Sequence, residues 1–231
     1  DLGQVASLLS ENTIITTLDI SYNKIANVDL AKSLSRSIRK HPKLCSANLS
    51  GCGIGASVDI LSEVLDGCAN LQNLSIDNNG IDTEGVVLVL GYLSGNENVT
   101  VFSMDGNNLS TDDAKFVIRA MKKTSKVRHL SLGSNPAIHA PKFLDSSRFH
   151  NNITHLDMSG CGIKLPGAKL IANYLSGNPA LTEMNLERNK LALASIRVLA
   201  DAMSVNTTLE HLNLNRNPIT DQCVSTLTDL L

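Results

Sequence analysis

Hydrophobic residues recur along the chain at fixed offsets, with variable polar residues between them. In residues 181–191, LTEMNLERNKL, the residues Leu181, Met184 and Leu186 are apolar and Asn189 follows them. The alternating part predicts a short β-strand, because every second side chain of a strand points to the same side. The apolar side chains then define the buried side of that strand.

The same pattern, L-x-x-L-x-L-x-x-[NC]-x-[LI] in a loose form, occurs eight times. Successive copies start 26 to 29 residues apart, a regularity that excludes coincidence. The copies begin at Ile15, Leu44, Leu71, Val99, Val127, Ile153, Leu181 and Leu209. The sequence therefore predicts about eight repeats, each with one short strand.

Asparagine or cysteine occupies the ninth position of every copy. At the end of a strand such a side chain can turn inward and bond to backbone groups that the bend leaves unpaired. Cys52 and Cys161 stand at this position in two repeats. We interpret both as structural residues; the alternative is a reactive thiol.

The second half of most repeats predicts a helix. After the strand, apolar residues recur with helical spacing, as at Leu88, Val89, Tyr92 and Leu93, and form one face about 100° wide. The same face is predicted at Leu170, Ile171, Tyr174 and Leu175, at Val198, Leu199, Ala202 and Met203, and at Phe116, Val117, Ala120 and Met121.

One strand and one helix per repeat predict an α/β fold. The expected architecture is a curved solenoid with a parallel β-sheet on the concave face and α-helices on the convex face, because helices are wider than the strand spacing. No repeat can bury a core by itself, so we expect residues 1–231 to form a single domain. Both ends of the chain fall inside a repeat, so we expect further parts of the same polypeptide to flank them.

The repeats resemble the leucine-rich repeat family, and within it the ribonuclease-inhibitor-like subclass. The segments VRHLSLGSNPAI (127–138) and AKLIANYLSGNPALTEMNLERNKL (168–191) are most similar to the CARMIL type of actin regulators. The resemblance implies a non-enzymatic scaffold that binds another protein, in cytoskeletal regulation. It also allows two alternatives, a GTPase-activating protein resembling RanGAP and a structural subunit of a large assembly.

Composition and charge narrow the choice of partner and compartment. The net charge is −2 and the pI is near 6.3, which gives no case for nucleic acid or an anionic membrane. No apolar run reaches the roughly 18 residues of a membrane helix. Five cysteines without a C-x-x-C pair favour a reducing, cytoplasmic location. We find no catalytic motif and expect no cofactor or metal ion.

The third, fifth and seventh positions of the repeats line the predicted concave face. They hold six carboxylates and neither lysine nor arginine. One interpretation is an acidic groove for a partner with a basic surface; the other is a solvated sheet face. The candidate binding residues on the face and its rim are Tyr22, Asp77, Asp105, His129, Asp157, Glu187, Arg188 and Arg216.

Residues 135–152 depart from the repeat. They are two residues shorter and contain Pro136 and Pro141. Proline removes a backbone donor and restricts the residue before it, so a broken or 3₁₀ segment is expected there. The irregular segment is interpreted either as a contact site or as drift in one repeat.

Overall fold

The computed structural model describes residues 2–110, 112–116, 126–139, 141, 144, 152–178 and 180–223. Each predicted repeat contributes one strand of three residues, beginning two positions after the start of the copy. The strands of the described residues are β1 Thr17–Asp19, β2 Ser46–Asn48, β3 Asn73–Ser75, β4 Val101–Ser103, β5 His129–Ser131, β6 His155–Asp157, β7 Glu183–Asn185 and β8 His211–Asn213.

Helices follow the strands, as their apolar spacing predicts. They are α1 Leu2–Glu11, α2 Val28–Lys40, α3 Val58–Gly67, α4 Thr83–Gly95, α5 Leu165–Gly177 and α6 Leu193–Met203, and residues 112–116 are also helical. The first turns of α2 and α4 are capped by side chains: Asn27 accepts from the Leu30 N–H and Asp82 from the Gly85 N–H, each at 2.9 Å. Such caps satisfy donors that have no partner within the helix.

The chain divides into two compact units, residues 1–107 with 119–127 and residues 108–118 with 128–231. In the first unit β1 to β4 pair in parallel and in chain order, and in the second β5 to β8 do the same. The repeated strand–helix order and the parallel pairing confirm the predicted α/β class. The prediction of one domain over residues 1–231 stays a prediction.

Equivalent positions of neighbouring strands lie side by side, and this register builds the core in layers. Leu74 of β3 pairs with Phe102 of β4, and both are buried. Val89 and Leu93 of α4 are buried as well, as the apolar spacing predicts. Of the face predicted at Phe116, Val117, Ala120 and Met121, only Phe116 is described; it is 41% exposed, so the prediction of a buried side chain is wrong there.

Residues 136–138 form a 3₁₀ helix, Pro136–Ile138, near the start of the irregular segment. Ile138 is buried there, and its N–H donates to the Asn135 carbonyl at 2.9 Å. The predicted 3₁₀ geometry is thus confirmed for the start of the irregular segment. Beyond Ile138, the described residues of this segment are His139, Pro141, Leu144 and Asn152.

Candidate functional site

From Asn79 onward, the ninth-position asparagines turn inward and link one repeat to the previous one. Asn107 is 1% exposed, and its amide nitrogen donates to the Ile76 and Met104 carbonyls at 3.0 Å. Its amide oxygen accepts from the Asn79 N–H at 2.9 Å and the Ile81 N–H at 3.2 Å. One side chain therefore satisfies backbone groups in two successive repeats.

Cysteine occupies the ninth position in two repeats, where it can donate a hydrogen bond but lacks the amide oxygen that asparagine uses as acceptor. The Cys52 thiol donates to the Ile20 carbonyl at 3.2 Å, and the Cys161 thiol donates to the Leu132 carbonyl at 3.3 Å. Both residues are fully buried, and burial raises the pKa of the Cys52 thiol. The structural interpretation of these two cysteines is confirmed.

The eighth position of every described repeat has left-handed backbone geometry. Its φ values lie between +53° and +66° at Tyr22, Gly51, Asn78, Gly106, Ser134, Gly160, Arg188 and Arg216. These residues form the rim of the sheet face, and three of them are glycine. A methyl group at Gly51 would overlap the ring of Tyr22, and one at Gly106 would overlap the amide of Asn78. Each of these glycines thus lies under a side chain of the preceding repeat.

Tyr22 is the most prominent candidate of the first unit. Its side chain is 73% exposed, but the ring lies against Gly51 and its hydroxyl accepts from the Asn78 amide at 3.5 Å. The exposed ring is therefore held at both ends by its own chain.

Asp77 and Asp105 lie together on adjacent repeats. The Asp105 N–H donates to Asp77 Oδ1 at 2.8 Å, and the hydroxyls of Ser103 and Ser75 donate to the two oxygens of Asp77 at 2.5 and 2.8 Å. Asp77 is half-buried, and groups of its own sheet donate hydrogen bonds to its carboxylate.

Fifth-position carboxylates and amides repeat one local arrangement. Asp157 accepts from the Ser159 N–H at 2.7 Å and from the Asn185 amide of the next repeat at 2.6 Å. Asp19 makes the equivalent bonds to Ser21 and Asn48. The Ser21 N–H, together with the Ser21 hydroxyl and the Asn48 amide, lowers the pKa of Asp19.

Glu187, Arg188 and Arg216 form a cluster at the end of the described rim. Glu187 Oε1 lies 3.6 Å from Arg188 Nε and 3.4 Å from an Arg216 Nη, while Asn213 donates to its other oxygen at 3.3 Å. Both arginines are largely exposed. The negative charge of Glu187 is thus neutralised by the two arginines, whose guanidinium groups face the solvent.

His129 and His155 stack face to face on β5 and β6, with ring centroids 3.7 Å apart. His155 Nε2 lies 3.3 Å from Glu183 Oε1, and His155 Nδ1 lies 2.8 Å from the Thr154 hydroxyl. Desolvation and the neighbouring His155 lower the pKa of His129, and Glu183 opposes them. Among the described residues no group of three or more metal-binding side chains is arranged to hold an ion.

A second asparagine ladder lies where each helix turns into the next strand, three residues before the start of a repeat. Asn206 accepts from the Thr208 and Leu209 N–H groups and donates to the Leu175 carbonyl at 2.6 Å. Asn12, His41, Asn96 and Asn178 also accept at this position. The sequence signal was the asparagine before residues 15, 99, 181 and 209, and our sequence analysis missed it.

The eight candidates fall into separate clusters. Tyr22, Asp77 and Asp105 share the first unit, where Asn78 donates its side-chain amide to the Tyr22 hydroxyl and its backbone N–H to the Asp105 carbonyl. The other five lie in the second unit. Most of their polar atoms bond to neighbouring repeats, which the sequence analysis did not foresee.

The family model of the leucine-rich repeat matches residues 11–32, 149–172 and 205–227. NACHT, LRR and PYD domains-containing protein 5 of Mus musculus is 29% identical over 137 residues, which cover 57% of this chain and 12% of that protein. The chain thus spans a small part of that relative. Together with the repeated geometry, these matches show that the chain carries leucine-rich repeats.

Two solved structures share the fold. The leucine-rich repeat-containing protein LegL7 from Legionella pneumophila has a TM-score of 0.50 and 16% identity, covering 99% of this chain and 93% of that chain. Rad7, in its complex with Elc1 in yeast, has a TM-score of 0.58 and 16% identity, covering 99% of this chain and 63% of that chain. In the described residues no helix is long and apolar enough to cross a membrane.

Proposed function

We propose that the chain is a non-enzymatic scaffold that binds another protein through its open sheet face. This face consists of the third-, fifth- and seventh-position residues with the eighth-position rim. Leucine-rich repeat arrays typically offer such extended surfaces to partners. Within the class, the long strand–helix repeats favour the ribonuclease-inhibitor-like subclass.

The observation that carries the proposal is the pre-ordered Tyr22 ring. Tyrosine and arginine are enriched among the residues that dominate binding energy at interfaces. Tyr22 is exposed, yet Gly51 and Asn78 already fix its position. Binding would therefore cost little side-chain entropy there. Asp77 and Asp105 add negative charge beside it, which suits a partner with a basic surface.

Two finer assignments belong to the proposal. We place the chain in the reducing cytoplasm, because Cys52 and Cys161 act as thiol donors in the ninth-position ladder. Cytoskeletal regulation, through actin, is proposed on the resemblance of residues 127–138 and 168–191 alone. The GTPase-activating and structural alternatives likewise rest on resemblance and stay hypotheses.

The test compares three variants in affinity capture, followed by calorimetry with the purified partner. Tyr22→Ala should lower the affinity for the partner about tenfold or more. Asp77→Asn with Asp105→Asn removes charge but keeps an amide oxygen as acceptor, and serine hydroxyls can rotate to suit it. The double aspartate variant should bind the partner with lower affinity, and that affinity should depend less on salt concentration.

The matched control is Glu11→Gln with Asp201→Asn, which removes equal charge from exposed helical positions. It should leave binding unchanged. A partner that tolerates both Tyr22→Ala and the aspartate variant would show that this face is not the binding surface.

A further inference from the structure

A groove of about 420 Å³ lies between α3 and α4, on the helical side of the first unit. Its volume is in the range of sites that enclose ligand groups. Its walls combine apolar or small residues with polar ones. The first group is Leu65, Ala69, Leu88, Gly91, Tyr92 and Gly95, and the second is Ser62, Asp66, Asn96, Glu97 and Asn98. The Tyr92 hydroxyl donates to the Cys68 carbonyl at 3.1 Å, so the polar end of this residue is turned away from the groove.

The helix α4 differs from its equivalents at two outward positions. Counted from the start of each repeat, these positions hold Val87 and Gly91 in α4. The equivalents are Lys169 and Asn173 in α5 and Arg197 and Asp201 in α6, and all are exposed. A surface helix normally carries polar residues on its outer side. Val87, 59% exposed, therefore extends the apolar surface of the groove to solvent.

Gly91 and Gly95 are not required by packing inside the first unit. A Cβ atom at either position would meet nothing within 4 Å. Glycine within a helix is less stable than alanine, so these residues weaken α4 without relieving any contact. Their effect in this structure is to keep the groove open to close approach.

The chain segment that forms the groove is acidic. The chain contains ten carboxylates and no lysine, arginine or histidine from Leu44 to Ala114. Asp66 and Glu97 line the groove itself. Arg39 of α2 reaches Asp66 in an exposed pair, and such surface pairs are weak and exchangeable. An apolar groove with this rim complements apolar side chains flanked by cations.

We propose that this groove docks a cationic amphipathic segment of a partner protein. Apolar side chains of the segment enter between Leu65 and Leu88, and its lysines or arginines meet Asp66 and Glu97. This is the helix-in-groove mode of recognition, with charge setting orientation. The surface lies on the helices and is independent of the open sheet face.

The probe is a fluorescein-labelled peptide of leucine and lysine with helical periodicity, about 14 residues or four turns long. A second peptide carries glutamate in place of every lysine. Anisotropy titration of the full chain should show binding of the lysine peptide only, weakening as salt is raised. Methyl spectra of the labelled protein should then change at Leu65, Leu88 and Val87.

Two variants locate the site. Gly91→Gln fills the groove, and Val87→Lys adds the kind of residue that α5 carries there; each should weaken the lysine peptide about tenfold. Asn173→Gln, at the position of α5 equivalent to Gly91, should leave it unchanged, as should Tyr22→Ala. Circular dichroism checks that each variant is folded.

Absence of binding, equal binding of the glutamate peptide, or unchanged affinity in Gly91→Gln would overturn the proposal. Methyl changes confined to the open sheet face would do the same. Because Tyr22→Ala probes the other face, failure here and failure of the scaffold proposal give different results.

Discussion

Side chains of the open sheet face, and the ninth-position asparagines beneath it, form hydrogen bonds or ion pairs within their own chain. Asn107 bridges two strand ends, Asp77 collects two serine hydroxyls and a backbone N–H, and Glu187 holds two arginines. The bonds of Asn107 to Asn79, of Asp77 to Ser103 and Asp105, and of Glu187 to Arg216 join residues about one repeat apart, so they form only when repeats stack. A face with this many internal bonds is pre-ordered, which lowers the entropy lost on binding.

Replacing Asn107 by alanine should destabilise the fold by about 3 kcal/mol, because several buried backbone groups would lose their partner. Asn107→Cys should cost less, since Cys52 and Cys161 show that a thiol can still donate to the preceding repeat. Urea unfolding of the three proteins measures both effects. Equal midpoints for the wild type and the alanine variant would mean that the ladder contributes nothing to stability.

The stacked histidines predict a pH dependence of stability. The pKa of His129 is lowered in the folded protein, so the unfolded chain binds more protons as the pH falls below about 6.5. The folded state should therefore have its full stability above that pH and lose stability below it. The ionisable side chains that act on the ring are His155 of β6 and Glu183 of β7.

Thermal unfolding of the wild type and of His129→Gln between pH 7.5 and 5 measures this effect. The variant should lose less stability on acidification, because glutamine does not titrate. Parallel curves for the two proteins would contradict it.

At the scale of the element, the turn from helix to strand repeats one device. Asn96 accepts from the Asn98 and Val99 N–H groups and donates to the Ala69 carbonyl at 3.0 Å. His41 accepts from the Lys43 and Leu44 N–H groups in the same way. Its Nε2 is buried and makes no hydrogen bond within the described residues. The connection from α2 to β2 thus lacks one bond.

Replacing His41 by asparagine should therefore stabilise the protein by about 1 kcal/mol, if the new amide bonds to the preceding repeat. That gain corresponds to a rise of roughly 2–4 °C in Tm for a chain of this size. The reverse change, Asn206→His, should lower Tm. If the His41→Asn protein were less stable, the packing of the imidazole would stabilise the fold more than the hydrogen bond of the new amide does.

Helix faces were predictable and their outer sides were not. Of the face predicted for α4, Val89 and Leu93 are buried, whereas Leu88 and Tyr92 are half-buried and line the groove. The spacing that predicted this face depends only on the apolar positions and carries no information about the polarity of the outward ones. The unusual residues Val87 and Gly91 were therefore not identified. Hydrophobic periodicity reports burial within the chain, while an unusual outer side appears only when equivalent helices are compared.

For the whole molecule, the repeat period was sufficient to predict the α/β fold, because one strand and one helix per period leave few ways to bury the apolar side chains. The candidate residues were also located by row and position. Their pairing was not, since Asp157 and Asn185, or Arg216 and Glu187, are separated by about one repeat in sequence. Only the register of the stacked repeats brings them together.

Charge is unevenly distributed over the whole molecule. The net charge of −2 includes a stretch, Leu44 to Ala114, with ten carboxylates and no basic side chain, so the remaining residues are net positive. Net charge and pI therefore conceal a strongly acidic region. At physiological ionic strength charges act over about 8 Å, so a partner at α3 and α4 meets the local charge rather than the average.

The glycines of the rim have a consequence for how this sequence can change during evolution. Gly51 lies under the ring of Tyr22, and Gly106 lies under the side chain of Asn78. A larger residue at either glycine is admissible only if the residue one repeat earlier becomes small. Related sequences should therefore show correlated replacements at positions 22 and 51 and at positions 78 and 106. Positions 188 and 216, where no glycine is covered, should vary without that coupling.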